Sequence, residues 1–218
     1  ARRQRQMCIR DSAATAREIA DRHGVRVDTL VADLGDRHGL FRLESLLSGP
    51  EGLVVDVLVN NAGCGHTAEF PQAPRAQVQA EVDLNVTATL GVTHAVLPGM
   101  LRRGRGTVIN VSSVVGHLPS AGSSYGATKA WLNAFTDSLV PVVAGTGVSV
   151  IAACPGYVRT GWHERPAPGG LSGRLLWATP EHVVDTCLGD LDRGRSVSVP
   201  GPVYRPLILS LIHISEPT

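Results

Sequence analysis

The chain has 218 residues, a formal net charge of +1, 43% hydrophobic and 18% charged residues. That suffices for one α/β domain with a sizeable core and falls short of two ordinary ones. The balance excludes a disordered tail and a polybasic nucleic-acid binder, and 4% aromatics leave no stacking platform for single strands. No apolar run reads as a bilayer span, and no basic-then-apolar leader opens the chain. Cys8, Cys64, Cys154 and Cys187 fall in no metal-ligand spacing, so a reduced, cytoplasmic protein is expected. Arginine carries nearly all the positive charge, and Lys129 is the only lysine.

In chain order, residues 13–23 are alanine-rich and read as the end of a helix stopped by Gly24. Residues 25–31 alternate and are β-branched, which predicts a strand, and 33–36 predict a turn. Helical spacing covers 37–47. Residues 54–59 predict a strand buried on both faces, followed by a loop over 63–74. A long helix fits 75–103, ended by Gly104. Residues 107–111 predict a strand, 123–143 a helix, 148–153 a strand and 180–191 a helix. A Pro/Gly-rich loop over 163–173 and a short strand over 196–199 complete the set. This alternation predicts an α/β fold: a Rossmann-like, doubly wound, mainly parallel sheet with helices on both faces. Ligands of such sheets lie beyond the carboxyl ends of the strands, so the loops after Val31, Val59, Val111 and Ala153 should share one cleft. A single domain is expected over 13–208.

The ends differ from this background. Residues 7–12 and 209–218 carry three of the seven isoleucines. One DNA element, read on opposite strands, can encode both Met7-Cys8-Ile9-Arg10-Asp11-Ser12 and Leu209-Ser210-Leu211-Ile212-His213. Both resemble the translated end of an adapter used in preparing sequencing libraries. They read as non-native scars, and the chain reads as a fragment.

Two glycine patterns are set aside. Residues 63–68 match G-x-G-x-x-G/A after a strand, with Asp83 near the spacing of a ribose-binding acid. However, Pro71 and Pro74 interrupt the stretch where a helix should open on the phosphates. Residues 122–126 match the G-x-S-x-G nucleophile elbow around Ser124, with His163, His182 and Asp185 downstream. A loop precedes it where the elbow needs a strand, so a serine hydrolase is the lesser alternative.

Tyr125 and Lys129 are four apart in a predicted helix and share a face. An ammonium beside a phenol stabilises the phenolate, which makes the pair an acid/base able to exchange a proton with a carbonyl or alcohol oxygen. Around it stand, in order, Asn60-Asn61-Ala62-Gly63 after a strand, Asn85 in a helix, and Ser112-Ser113 after a strand. Tyr125-Gly126-Ala127-Thr128-Lys129 and Pro155-Gly156-Tyr157-Val158-Arg159-Thr160 follow. This set resembles the short-chain dehydrogenase/reductase family over roughly residues 13–201.

The resemblance implies an NAD(P)-dependent oxidoreductase that interconverts a carbonyl and a secondary alcohol. It implies Tyr125 as general acid/base, and Lys129 as the cation that lowers its pKa and holds the nicotinamide ribose. Ser113 would hydrogen-bond the substrate oxygen, and Asn85 would hold a relay water. Asn60, Ala62 and Gly63 would line the adenine-ribose side, with Asp33 on the adenine. Pro155, Gly156, Val158 and Thr160 would position the nicotinamide. Leu118, Trp162 and His163 fall where the family builds its substrate pocket. Spacing leaves Ser112 and Ser113 open; the residues that follow favour Ser113, and strand alternation lets only one face the cleft.

The front departs from the family: the first strand and its glycine-rich diphosphate loop are missing. Arg2-Arg3, read as the end of a second strand, lean toward NADP over NAD. As a fragment the chain is expected to fold poorly and bind cofactor weakly. A homodimer or homotetramer through the two long helices is expected, with a small-molecule substrate and neither nucleic acid nor membrane as partner. A catalytically inactive Rossmann-like binding protein is the main alternative. Substrate, reaction direction and assembly size are not written in the sequence.

Overall fold

Valine- and isoleucine-rich segments of the middle of the chain form a parallel four-stranded sheet, and the helices between them cover it. The computed structural model describes residues 2–48, 52–66, 68–118, 123–159, 177–206 and 208, with side chains from Ser12 onward. Its elements are α1 (Arg2–His23), α2 (Arg37–Ser48), β1 (Val57–Asn60), α3 (Arg75–Val82), α4 (Thr89–Arg103) and β2 (Gly106–Val111). Then follow α5 (Ser124–Val143), β3 (Val148–Ala153), β4 (Tyr157–Val158), β5 (Trp177–Ala178), α6 (Pro180–Asp192) and β6 (Val197–Ser198). The sheet order is β1-β2-β3-β6, with a separate two-residue pairing of β4 and β5.

Successive residues of β2 and β3 point to opposite faces, and each face has its own cover. Val108, Val148 and Val150 pack under Val96, Leu97 and Met100 of α4 and Val143 of α5. Ile109, Ile151 and Ala153 pack on Cys187 and Leu191 of α6. Leu40 of α2 meets Ala88 and Val92 beside Leu58 of β1. A polar ladder crosses the sheet between these clusters. Asn60 Nδ2 donates to Asn110 Oδ1 (2.9 Å) and Thr93 Oγ1 (3.0 Å), and Asn110 Nδ2 donates to Thr136 Oγ1 (2.9 Å).

Several expectations are corrected here. Residues 25–31 form no strand: they carry no strand pairing, and Val25, Leu30 and Val31 are exposed. A strand exists through its neighbour's hydrogen bonds. In the doubly wound order 3-2-1-4-5-6, a segment just before the fourth strand does not pair with it. β1 is shorter than expected and is not buried on both faces; Val57 and Val59 are more than half exposed, because only one of its edges is paired. Arg2 and Arg3 lie in α1 rather than at a strand end, so the lean toward NADP loses its geometry. That helix also runs unbroken through residues 7–12.

The long rod from Arg75 to Arg103 is present, but residues Asp83–Ala88 wind as a π-helix. By length and composition alone this rod could span a membrane, contrary to the reading of apolar runs above. Its contacts with β2 and its buried Glu81, Asn85 and Thr93 are those of a core helix in a polar-laddered fold. The 3₁₀ turn Val114–Gly116 and the β4–β5 pairing carried no sequence signal.

Candidate active site

The carboxyl ends of β1, β2 and β3 and the start of α5 meet at Tyr125 and Lys129. α5 opens where Ser123 Oγ accepts the Tyr125 N–H at 3.2 Å, an N-cap that fixes the first turn. One turn later, Lys129 lies only 5% exposed. Its Nζ donates to the Val111 carbonyl at 2.7 Å, at the end of β2, and stands 5.7 Å from the centroid of the Tyr125 ring. Burial lowers the Lys129 ammonium to about 8. Tyr125 is raised, first by burial and then by the negative charge of Glu81, while its hydrogen bond with Ser113 acts the other way. This direction differs from the expected lowering of the phenol: burial is its largest cause, and the Lys129 ammonium donates to the Val111 carbonyl.

The two serines separate cleanly. Ser112 is buried and its hydroxyl donates to the Lys129 carbonyl at 3.1 Å. Ser113 Oγ donates to the Pro155 carbonyl at 3.3 Å, accepts the Val115 N–H at 3.4 Å, and lies close enough to Tyr125 to act on its proton. Asn85, 2% exposed within the π segment, pins the loop after β1. Its Oδ1 accepts the Cys64 N–H (2.9 Å), and its Nδ2 donates to the Cys64 carbonyl (2.8 Å) and to Thr128 Oγ1 (3.0 Å). Both sides of its amide are thus engaged in positioning. A π turn at such a place is a common mark of a functional segment.

Glycines let this loop close on the site. A Cβ at Gly63 would sit 3.3 Å from Asn85 Oδ1 and 3.6 Å from Lys129 Nζ, and one at Gly65 would press on the Tyr125 ring at 2.9 Å. The Lys129 ammonium, with donors beyond its bond to Val111, and the Tyr125 hydroxyl fit the hydroxyls of a nicotinamide ribose.

The remaining predicted residues are placed as follows. Asn60 directs its side chain into the polar ladder, away from a cofactor, while Asn61 and Ala62 are exposed at the carboxyl end of β1. Asp33 accepts the Gly35 N–H at 3.1 Å in the turn before α2. Pro155 receives both Ser113 Oγ and Val114 N–H on its carbonyl. Gly156 lies against the Tyr204 ring, where any Cβ would overlap it, and Val158 pairs with Ala178. Leu118 packs on the Val114–Cys154 cluster. Thr160, Trp162 and His163 lie outside the described residues. Ser124 hydrogen-bonds His66 at 3.0 Å, whereas His182 and Asp185 sit exposed on α6, so the hydrolase set is not brought together. The G-x-G-x-x-G/A stretch opens no helix, which begins only at Arg75.

Two residues were missed. Glu81 is 1% exposed and points at this site, and His66 lies between it and Ser124. The signal was present: Glu81 precedes Asn85 by one helical turn and so shares its face.

A parallel doubly wound sheet with a Tyr/Lys/Ser cluster past its carboxyl ends defines a Rossmann-like protein of the dehydrogenase type. Residues 6–167 match the family model of the short chain dehydrogenases, and the chain belongs to that family. Serine 3-dehydrogenase of Rhizobium radiobacter is 40% identical over 151 residues, 64% of this chain and 60% of that protein. A very-long-chain 3-oxoacyl-CoA reductase of Anas platyrhynchos is 32% identical over 180 residues, 80% of this chain and 55% of that protein. The chain therefore spans somewhat over half the length of these relatives. A short-chain dehydrogenase from Sphingobium yanoikuyae, solved in complex with NADPH, superposes with a TM-score of 0.79 at 30% identity. That match covers 93% of this chain and 79% of the solved one.

Proposed function

We propose that this chain carries the catalytic part of an NAD(P)-dependent oxidoreductase that interconverts a carbonyl and a secondary alcohol. The observation that supports this most is the convergence of Ser113, Tyr125 and Lys129 at the end of β2. Lys129 and Tyr125 would hold the nicotinamide ribose, and the bound dinucleotide supplies the hydride.

The chain's own residues do the rest. A substrate oxygen set between Ser113 and Tyr125 receives two donors where charge develops, once the Ser113 hydroxyl turns from the Pro155 carbonyl. Tyr125 gives its proton to that oxygen in reduction and takes it back in oxidation. Lys129 places a positive charge behind the ring, and Asn85 keeps the loop after β1 closed over it. Residues of the two long helices, including exposed Leu90 and Val142, are available for subunit pairing, and a homo-oligomer is part of the proposal.

Tyr125→Phe in the intact enzyme tests the reading. Turnover should fall by at least about 10²-fold while dinucleotide binding persists, the loss expected for a removed general acid. Unchanged turnover would sink the oxidoreductase reading and leave a binding module.

A further inference from the structure

Gly156 follows the proline whose carbonyl holds the Ser113 hydroxyl, and a ring from a distant part of the chain covers it. Tyr204, in the turn after β6, lies where the Cβ of any other residue at 156 would stand, and Cε2, Cζ and Cδ2 of its ring are the nearest atoms. Two backbone features bring it there. Gly201 has φ +107°, which turns the chain back after β6. The Arg205 N–H then donates to the Gly201 carbonyl at 3.3 Å and closes a helical turn that contains Tyr204. The ring is half-buried and packs on the cluster of Val114, Ala152, Cys154 and Val199.

The Pro155 carbonyl is a junction. It accepts the Ser113 hydroxyl at 3.3 Å and the Val114 N–H at 3.1 Å. Two residues before Val114, the Ser112 N–H donates to the Ala153 carbonyl at 2.7 Å and belongs to the sheet. Past that rung, strand pairing no longer fixes the chain, and the setting of the Pro155–Gly156 peptide decides where the carbonyl stands. Glycine alone restrains such a peptide poorly, because it has the widest choice of φ and ψ and no side chain to anchor it. The Tyr204 ring fills the space a side chain would take and restrains the peptide from outside.

We propose that Tyr204 is a positioning residue: its ring seats Gly156, Gly156 sets the Pro155 carbonyl, and that carbonyl holds the end of β2 where the Ser113 hydroxyl meets the substrate oxygen. The consequence for turnover rests on the oxidoreductase reading; the seating itself does not. Ring carbons face Gly156, so the ring rather than the phenolic oxygen carries the contact. A second contact acts in the same sense, since Tyr204 packs on the cluster that holds Val114, the residue after Ser113.

Amide hydrogen exchange in the intact enzyme, with no dinucleotide present, tests the seating within one sample. The Val114 N–H reports the bond to Pro155, and the Ser112 N–H reports the sheet rung beside it. In Tyr204→Ala, or in Tyr204→Leu should the alanine variant not fold, Val114 should exchange about tenfold faster relative to Ser112, the mark of a local opening. Gly156→Ala, which puts a methyl group where the ring lies, should do the same. Tyr204→Phe keeps the ring and should match the parent chain. A merely structural role would release both amides together. Equal acceleration of the two amides, an unchanged Val114, or a Tyr204→Phe variant that behaves as Tyr204→Ala overturns the proposal. In turnover, Tyr204→Ala should lower kcat by about tenfold with dinucleotide affinity kept, the loss expected for a misplaced catalytic group. That loss should vanish in a Ser113→Ala background, because both changes act through one hydroxyl; losses that simply add overturn the proposal as well. None of these results touches the oxidoreductase reading, which stands or falls with the turnover of Tyr125→Phe, and the exchange result decides the seating in either case.

Discussion

The centre of the sheet and the segment leading into it are made of the same residues and behave differently. In β2 and β3, Val108 and Ile151 are wholly buried, and β2 is paired along both edges. In residues 25–31 and β1, Val25, Leu30, Val31, Val57 and Val59 are between 41% and 57% exposed. Alternating β-branched residues choose which side chains share a face, but hydrogen bonds from a neighbouring chain segment make the strand. Where the neighbour is present, the site is built; where it is not, the same pattern stays irregular.

Core truncation breaks the comparison most sharply. Ile151→Ala should cost about 2–5 kcal/mol, from lost transfer energy and a cavity between two packed faces. Val31→Ala should stay within about 0.5 kcal/mol. Denaturant unfolding of both variants measures the difference, and equal losses would show that residues 25–31 are packed after all.

The buried lysine sharpens it through pH. Folding holds the Lys129 ammonium at about 8, below the ordinary 10.5. Between those values the unfolded chain binds more protons than the folded one, so this contribution to stability rises with pH across that window. At neutral pH the full penalty, on the order of 3 kcal/mol, opposes folding. Lys129→Met removes it, so its advantage over the parent chain should shrink from pH 7 to pH 10 (roughly the window set by these two values). A constant advantage would contradict the burial of the ammonium.

The serine pair divides packing from chemistry. Ser112→Ala loses a buried bond to the Lys129 carbonyl and should cost about 1 kcal/mol of stability. Ser113→Ala should leave stability nearly unchanged and lower turnover by about 10²-fold. Steady-state kinetics beside thermal melts of each variant would show an exchange of roles if the assignment is wrong. A comparable effect lies at the start of α6: Thr179 caps it by accepting the His182 N–H, and Thr179→Ala should cost about 1 kcal/mol in the same melts.

Much of the frame was legible because its signals are local. β3 has the expected limits, and α5 and α6 lie within a residue of theirs. The Tyr125–Lys129 pair was legible through helical spacing and a unique lysine. Alternation told that only one of Ser112 and Ser113 could face the cleft, but not which, since that depends on how α5 lies over the end of β2. The pairing of Glu81 with His66 was not legible because it is not local; the loop after β1 brings them together across fifteen residues. The missing strand at 25–31 is the same lesson at the level of the sheet.

The polar ladder has one consequence for alignment. Asn60 stands opposite Asn110 in the pairing of β1 with β2, and their amides are bonded across it. A slip of one residue would turn Asn60 to the other face and leave Asn110 Oδ1 and Thr93 Oγ1 without its amide donor in a dry interior. These amides act as an index mark that only one alignment satisfies. Through it, the loops carrying Gly63 and Ser113 arrive at the same height above the sheet.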